Sequence, residues 1–155
     1  MLAPRELGQL LGRSVTTVQR VAVEPAAWSS TDARFEAVHL DGESQPRLMA
    51  KTVQRAHDWV AIGTHDTVDR EVRCWEWGVL DRLPLPATHA VVAAARTEQG
   101  YTLLMRELSG QLLSNTQDAP VPLATQRHVL DALAAVHASF WMDPSLQDVA
   151  LGLSS

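Results

Sequence analysis

The chain has almost no thiol chemistry available to it. Cys74 is the one cysteine in 155 residues, so no internal disulfide can form. Aromatic residues make up only 5%, and no apolar run approaches the length needed to cross a bilayer. The first residues, Met1-Leu2-Ala3-Pro4-Arg5-Glu6, lack the long apolar segment of a secretion signal. Positive charge is scarce as well. Thirteen Lys and Arg against eighteen Asp and Glu give a net charge of −5, which argues against an electrostatic grip on DNA or RNA. His57, His65, His89 and His128 do not stand at metal-ligand spacing from one another or from Cys74, so no metal site is expected. These absences lead us to expect a cytoplasmic protein whose partners include neither nucleic acid nor membrane.

What is present is ordinary for a globular domain: 46% apolar and 20% charged residues, in a length sufficient for one core. Pro4 to Leu11 reads as a short helix with Leu7, Leu10 and Leu11 on one side. Val15 to Glu24, Phe35 to Leu40 and Leu48 to Val53 read as three strands, with Asp41-Gly42 as a hairpin signal between the second and third. Short links between them predict an antiparallel meander. The stretch from Gln54 to His65 is polar around Trp59-Val60-Ala61-Ile62-Gly63 and gives no clear assignment. From Asp66 to Arg82, Val68, Val72, Trp75, Val79 and Leu83 recur at helical spacing, and Pro84-Leu85-Pro86 stops the helix. Ala90 to Arg96 and Tyr101 to Glu107 read as a hairpin turning at Glu98-Gln99-Gly100. Ser109 to Pro120 reads as a linker, and Leu123 to Trp141 as a second long helix, followed by a short amphipathic turn and a frayed end. The expected fold class is α+β: a five-stranded antiparallel sheet with one helix packed across it.

One pair of residues stands out chemically. The pleat places Met49, Lys51 and Val53 on one face of the third strand and Leu48, Ala50 and Thr52 on the other. An ammonium group on an apolar strand is costly unless a partner neutralises it. Glu71 borders the apolar stripe of the next helix and is the candidate partner. A lysine held by a helix glutamate is an arrangement that kinases use against nucleotide phosphates.

Several stretches, in order, carry a resemblance. They are Leu48-Met49-Ala50-Lys51, Arg70-Glu71-Val72 followed by Trp75, the stop Leu83-Pro84-Leu85-Pro86, Leu103-Leu104-Met105-Arg106-Glu107-Leu108, and Leu133-Ala134-Ala135-Val136-His137-Ala138-Ser139-Phe140-Trp141. With this element order the chain resembles the N-terminal lobe of the aminoglycoside-phosphotransferase-like kinases. The nearest pattern is that of the ecdysteroid-kinase-like and choline-kinase-like small-molecule phosphotransferases. The resemblance implies a kinase-like N-lobe over residues 1–108, a hinge or linker over 109–121, and the first helix of a C-terminal lobe over 122–155. It implies ATP as the nucleotide, with Mg²⁺ in the family at large. Lys51 would pair with the phosphates, Glu71 would orient Lys51, and Met105, Arg106, Glu107 and Leu108 would form the adenine hinge. Ser29 and Ser30 would lie in the phosphate loop, which here reads Ala26-Ala27-Trp28-Ser29-Ser30-Thr31 and holds no glycine.

The family's catalytic segment is missing. His-x-Asp, four residues and then Asn occurs nowhere, and Asn115, the only asparagine, precedes the last long helix. No catalytic residue and no metal ligand is therefore assigned. The chain is expected to be inactive alone: a truncated product, a fragment of a longer enzyme, or one chain of a split one. The apolar face of Leu130, Leu133 and Phe140 would then lack its covering lobe, giving a homo-oligomer or a surface for the missing lobe. The competing reading is a non-catalytic interaction domain that docks a partner through this helix. Of the remaining candidates, His137 reads as a packed histidine and His39 as structural. Trp75, Trp77 and Trp141 read as core or lobe-interface aromatics, and Cys74 as a buried thiol.

Overall fold

Five strands rich in Val, Ala, Thr and Leu form one antiparallel sheet, with helices before the first strand, between the third and fourth, and after the fifth. The computed structural model describes residues 3–23, 33–44, 47–108, 120–148 and 151–152. The strands are β1 (Val18–Val23), β2 (Arg34–Leu40), β3 (Leu48–Gln54), β4 (Val91–Thr97) and β5 (Gly100–Arg106), and the first three form the expected meander. β5 then pairs with β3, and β4 lies outside it at the edge. The helices are α1 (Pro4–Leu11), α2 (Trp59–Gly63), α3 (Arg70–Glu76) and α4 (Leu123–Phe140). The chain is thus α+β, with a five-stranded antiparallel sheet at its centre.

Strand parity divides the core in two. One face carries Val38, Leu40, Leu48, Ala50 and Leu104 against Leu7 of α1 and Val15. The other carries Ala33, Val53, Tyr101 and Leu103 against Val72 of α3, with Phe35, Val91 and Met105 partly covered. Alternation along β3 therefore sends Ala50 to the α1 side and Lys51 to the α3 side. Of the α1 leucines only Leu7 is fully covered; Leu11 is half-buried and Leu10 is exposed. A β-bulge between Val91 and Ala93 shifts the parity of β4, so that Ala93 pairs with Leu104 while Arg96 pairs with Tyr101 on the α3 side.

Three elements differ from expectation. β1 begins at Val18 rather than Val15, although Val15 is buried. The expected long helix from Asp66 to Arg82 is only the seven residues of α3, followed by a 3-10 turn at Leu80–Arg82. Gly78 ends it at a φ of 66°, and Val79 N–H bonds the Cys74 carbonyl while Gly78 N–H bonds that of Trp75. These two bonds satisfy the last helical carbonyls and close the helix. The unassigned stretch holds α2, started by Asp58, whose carboxylate accepts from the N–H groups of Val60 (2.8 Å) and Ala61 (3.1 Å).

Asp41 and Gly42 do form a turn, with φ of 52° and 75°, but the link to β3 is longer than a two-residue hairpin because pairing resumes only at Val38–Leu48. Asp41 ties this turn to the entrance of β1. Its Oδ1 accepts from Thr16 Oγ1 (2.7 Å), Thr16 N–H (2.7 Å) and Thr17 N–H (3.0 Å). The Thr16 hydroxyl first, then the two backbone donors, lower its pKa to about 2. A depressed carboxylate contributes stability that is complete above its unfolded value of 3.8 and is lost as pH falls through about 2. The melting temperature of Asp41→Asn should therefore lie below that of the wild type at pH 6, and the gap should close as pH falls from about 4 to 2. A gap that stays constant over that range would contradict this.

Leu151 and Gly152 are anchored on the fold, whereas the expected frayed end, residues 153–155, lies outside the described residues. Leu151 is fully buried, and Arg70 Nε donates to the Gly152 carbonyl. Arg82 pairs with Asp143, donates to Ser145 Oγ (2.9 Å), and lies over the Phe140 ring with its guanidinium carbon 5.2 Å from the centroid. α4 behaves differently, since none of its residues is buried.

Candidate functional site

Lys51 is the only lysine in the chain, beside twelve arginines. Its ammonium lies 2.8 Å from both carboxylate oxygens of Glu71. Lys51 is 18% exposed and Glu71 48%, so one flank of the pair is open to solvent. The geometry follows from two local facts. Parity puts Lys51 on the face that Val72 packs against, and Glu71 is the neighbour of Val72 on a helix that crosses this face. Tyr101, which faces the same side from β5, donates its hydroxyl to Glu71 Oε2 at 2.9 Å. Glu71 thus accepts from two different side chains, and its carboxylate is fixed in direction.

A second ion-pair set holds α3 in place. Asp69, 3% exposed at the left-handed N-cap of α3, accepts from Arg55 Nε (2.7 Å) and Nη2 (3.1 Å), with Arg96 Nε at 3.5 Å. Arg96 also pairs with Glu76 at the far end of the same helix and donates to the Val68 carbonyl (3.2 Å). Asp66 accepts from the N–H groups of Val68 and Arg70. Bonding to Asp69 raises the pKa of Arg55, and bonding to Glu76 raises that of Arg96. The two arginines stay charged, and they lock the helix to the ends of β3 and β4.

The remaining site residues are distributed unevenly. Met49, partly buried beside Lys51, and Met105, its register partner on β5, lie on the Lys51 face with Phe35 and the exposed Val21 and Val23. The backbone groups expected to read a base are partly committed within the fold. Arg106 N–H bonds the Ala90 carbonyl (2.8 Å), Glu107 N–H bonds the Arg47 carbonyl (2.9 Å), and the Arg106 side chain reaches the His89 carbonyl. Leu108 is 36% exposed. Ser29 and Ser30 lie outside the described residues. The one His-x-Asp triplet, His39-Leu40-Asp41, ends β2, where His39 Nδ1 is 3.1 Å from the Glu43 carbonyl and Asp41 caps the turn. Both side chains are engaged at the turn that follows β2.

Other expectations are corrected. His137 is exposed rather than packed, on a helix none of whose residues is buried. Trp77 is 44% and Trp141 78% exposed, so neither belongs to the core, whereas Trp75 is half-buried. Cys74 is half-buried, its thiol pKa raised by burial and then by Asp66 and Glu71. Tyr101 was missed altogether. Its hydroxyl is pulled towards the protonated form, first by burial and then by the charge and hydrogen bond of Glu71. A cavity of about 350 Å³ lies on the opposite side of the sheet, beside α1, over Ala50, Thr52, Thr102 and Leu104. It is separated from the ion pair by the sheet itself, so its shape says nothing about what Lys51 contacts. Among the described residues no group of three or more His, Cys, Asp and Glu side chains could hold a metal ion, and no helix is long and apolar enough to cross a membrane. No family model, no curated protein and no solved structure matches this chain.

Proposed function

We propose that the chain is the ATP-binding, N-lobe-like part of a small-molecule phosphotransferase, in which Lys51 meets the nucleotide phosphates. The observation that carries the reading is the Lys51–Glu71 pair: the only lysine of the protein, placed on the central strand β3 and oriented through both carboxylate oxygens by a crossing helix. A pair held at 2.8 Å with one open flank presents a fixed positive charge to an incoming anion. The apolar strip of Val21, Phe35, Met49 and Met105 beside it suits a flat base. Without a catalytic aspartate or a metal-binding segment in this sequence, the proposed role is binding and orientation of the nucleotide, with phosphoryl transfer requiring residues supplied from elsewhere. The N–H groups of Arg106 and Glu107 are used within the sheet, so base recognition falls to Leu108 and to apolar contact.

Nucleotide-dependent melting tests this reading. At ATP ten times above its dissociation constant the wild type should gain roughly 4 °C, and Lys51→Ala should lose most of that gain. An equal shift in both proteins would remove Lys51 from the site.

The second reading, an interaction domain, is favoured by α4. Leu123, Leu130 and Leu133 are 61%, 63% and 50% exposed on an eighteen-residue helix with no buried side chain. Apolar surface of that kind is normally covered. Light scattering should find a species larger than the monomer, and Leu130→Glu with Leu133→Glu should return it to monomer. A wild type that stays monomeric at high concentration would count against this reading.

A further inference from the structure

We infer that Tyr101 is the positioning residue of the Lys51–Glu71 pair, holding the carboxylate in its lysine-facing orientation before any ligand arrives. This rests on the nucleotide reading for its consequence, but the geometry is independent of it. Glu71 is on a helix only seven residues long and is about half exposed, so its side chain has freedom to swing into water. Lys51 alone does not remove that freedom, since a partly solvated ion pair is weak and screened by salt. The phenol does. Tyr101 is 6% exposed, its ring is packed in the cluster of Val53, Val72 and Leu103, and its hydroxyl points at Glu71 Oε2 from 2.9 Å. A rigid donor with two side-chain torsions, buried at its base, directs the carboxylate at little entropic cost.

The chain gives Tyr101 no other polar partner among its described side-chain bonds; the hydroxyl is there for Glu71. Its place in the sheet is equally fixed. Tyr101 pairs in register with Val53 and Lys51 with Leu103, so the phenol and the ammonium rise from neighbouring strands on one face and meet over one carboxylate. The consequence is preorganisation. With Tyr101 the pair stays assembled and Lys51 is aimed; without it the assembled state is one of several.

The chain contains one lysine and one tyrosine, so each reports on itself. The test is a pulse of acetic anhydride on the intact chain, with acetylation read by mass spectrometry on the peptide that holds Lys51. Tyr101→Phe keeps the ring and removes only the hydroxyl. It should raise the acetylation rate of Lys51 about fivefold, Glu71→Gln should raise it similarly, and the double variant should go no further. A Tyr101→Phe rate equal to wild type, in a protein that still melts cooperatively, overturns the inference. Should Tyr101→Phe not fold, the phenol can be followed in the wild type and Glu71→Gln by absorbance titration. Tyrosinate should form at lower pH in Glu71→Gln, and coincident curves overturn the inference. ATP separates the two claims. If ATP protects Lys51 in no protein while Tyr101→Phe still exposes it, the positioning role stands and the nucleotide reading fails. If ATP protects Lys51 equally well in wild type and Tyr101→Phe at the same concentration, the nucleotide reading stands and the positioning role fails; when the role holds, protection in Tyr101→Phe needs roughly tenfold more ATP.

Discussion

Asp69→Ala is expected to destabilise the protein by about 4 kcal/mol. Asp69 is 3% exposed and carries a charge that, among the described residues, Arg55 and Arg96 neutralise. Removing one side of a buried pair typically costs about 3–5 kcal/mol, and the lower end applies here because both arginines remain about one-third exposed. The rest comes from the backbone. Asp69 has a φ of 56°, a conformation that Asp and Asn adopt more readily than Ala. Asp69→Asn separates the two contributions: it keeps the backbone preference and one acceptor and should lose about 2–3 kcal/mol. The consequence should reach the ion pair, since Arg55 and Arg96 reach α3 only through Asp69, Val68 and Glu76. Urea unfolding of the three proteins checks this. Equal stability of Asp69→Ala and wild type would mean that the arginines do not anchor the helix.

Gly100→Ala is the second large effect. A Cβ built at Gly100 would stand 2.0 Å from the Val53 carbonyl oxygen, 3.0 Å from its carbon and 3.2 Å from Gln54 Cα. All three are backbone atoms of β3, so no side chain can rotate away. Either β5 separates from β3 at its first pair, Gln54–Gly100, or the strand shifts, and Tyr101 is the next residue. Overpacking of this kind costs roughly 3 kcal/mol or more, a large part of the 5–15 kcal/mol typical of a domain. The denaturation midpoint should fall with little change in slope. A loss under about 1 kcal/mol would show that the strand end yields freely.

The sheet was legible in the sequence because alternation of side chains along a half-buried strand is a period-two signal that short windows carry. The same signal placed Lys51 opposite Ala50, and a helix glutamate bordering Val68 and Trp75 was enough to name its partner. The length of that helix was not legible. The stripe of Val72, Trp75 and Val79 runs through Gly78 without a break in spacing, yet Gly78 closes the helix with two backbone bonds that leave no trace in the hydrophobic pattern. Asp58 before Trp59 was a readable start signal for α2. Tyr101 could not be found from local pattern, because its partner lies thirty residues away and only the β3–β5 register brings the two together. The Asp69 set failed for the same reason, its arginines being supplied by the ends of two strands. His137 misled because an apolar helical face implies burial, and no residue of α4 is buried. The buried Leu151 was hidden in a stretch whose composition reads as a loose end.

The most direct measurement of the central claim is acetylation of Lys51 in the wild type with and without ATP, using the α-amino group of Met1 as the internal reference. If the ammonium on β3 receives the phosphates, saturating ATP slows Lys51 at least fivefold and leaves Met1 unchanged, while adenosine, which has no phosphate, protects far less. Lys51 acetylated at the same rate with ATP as without it would contradict the account.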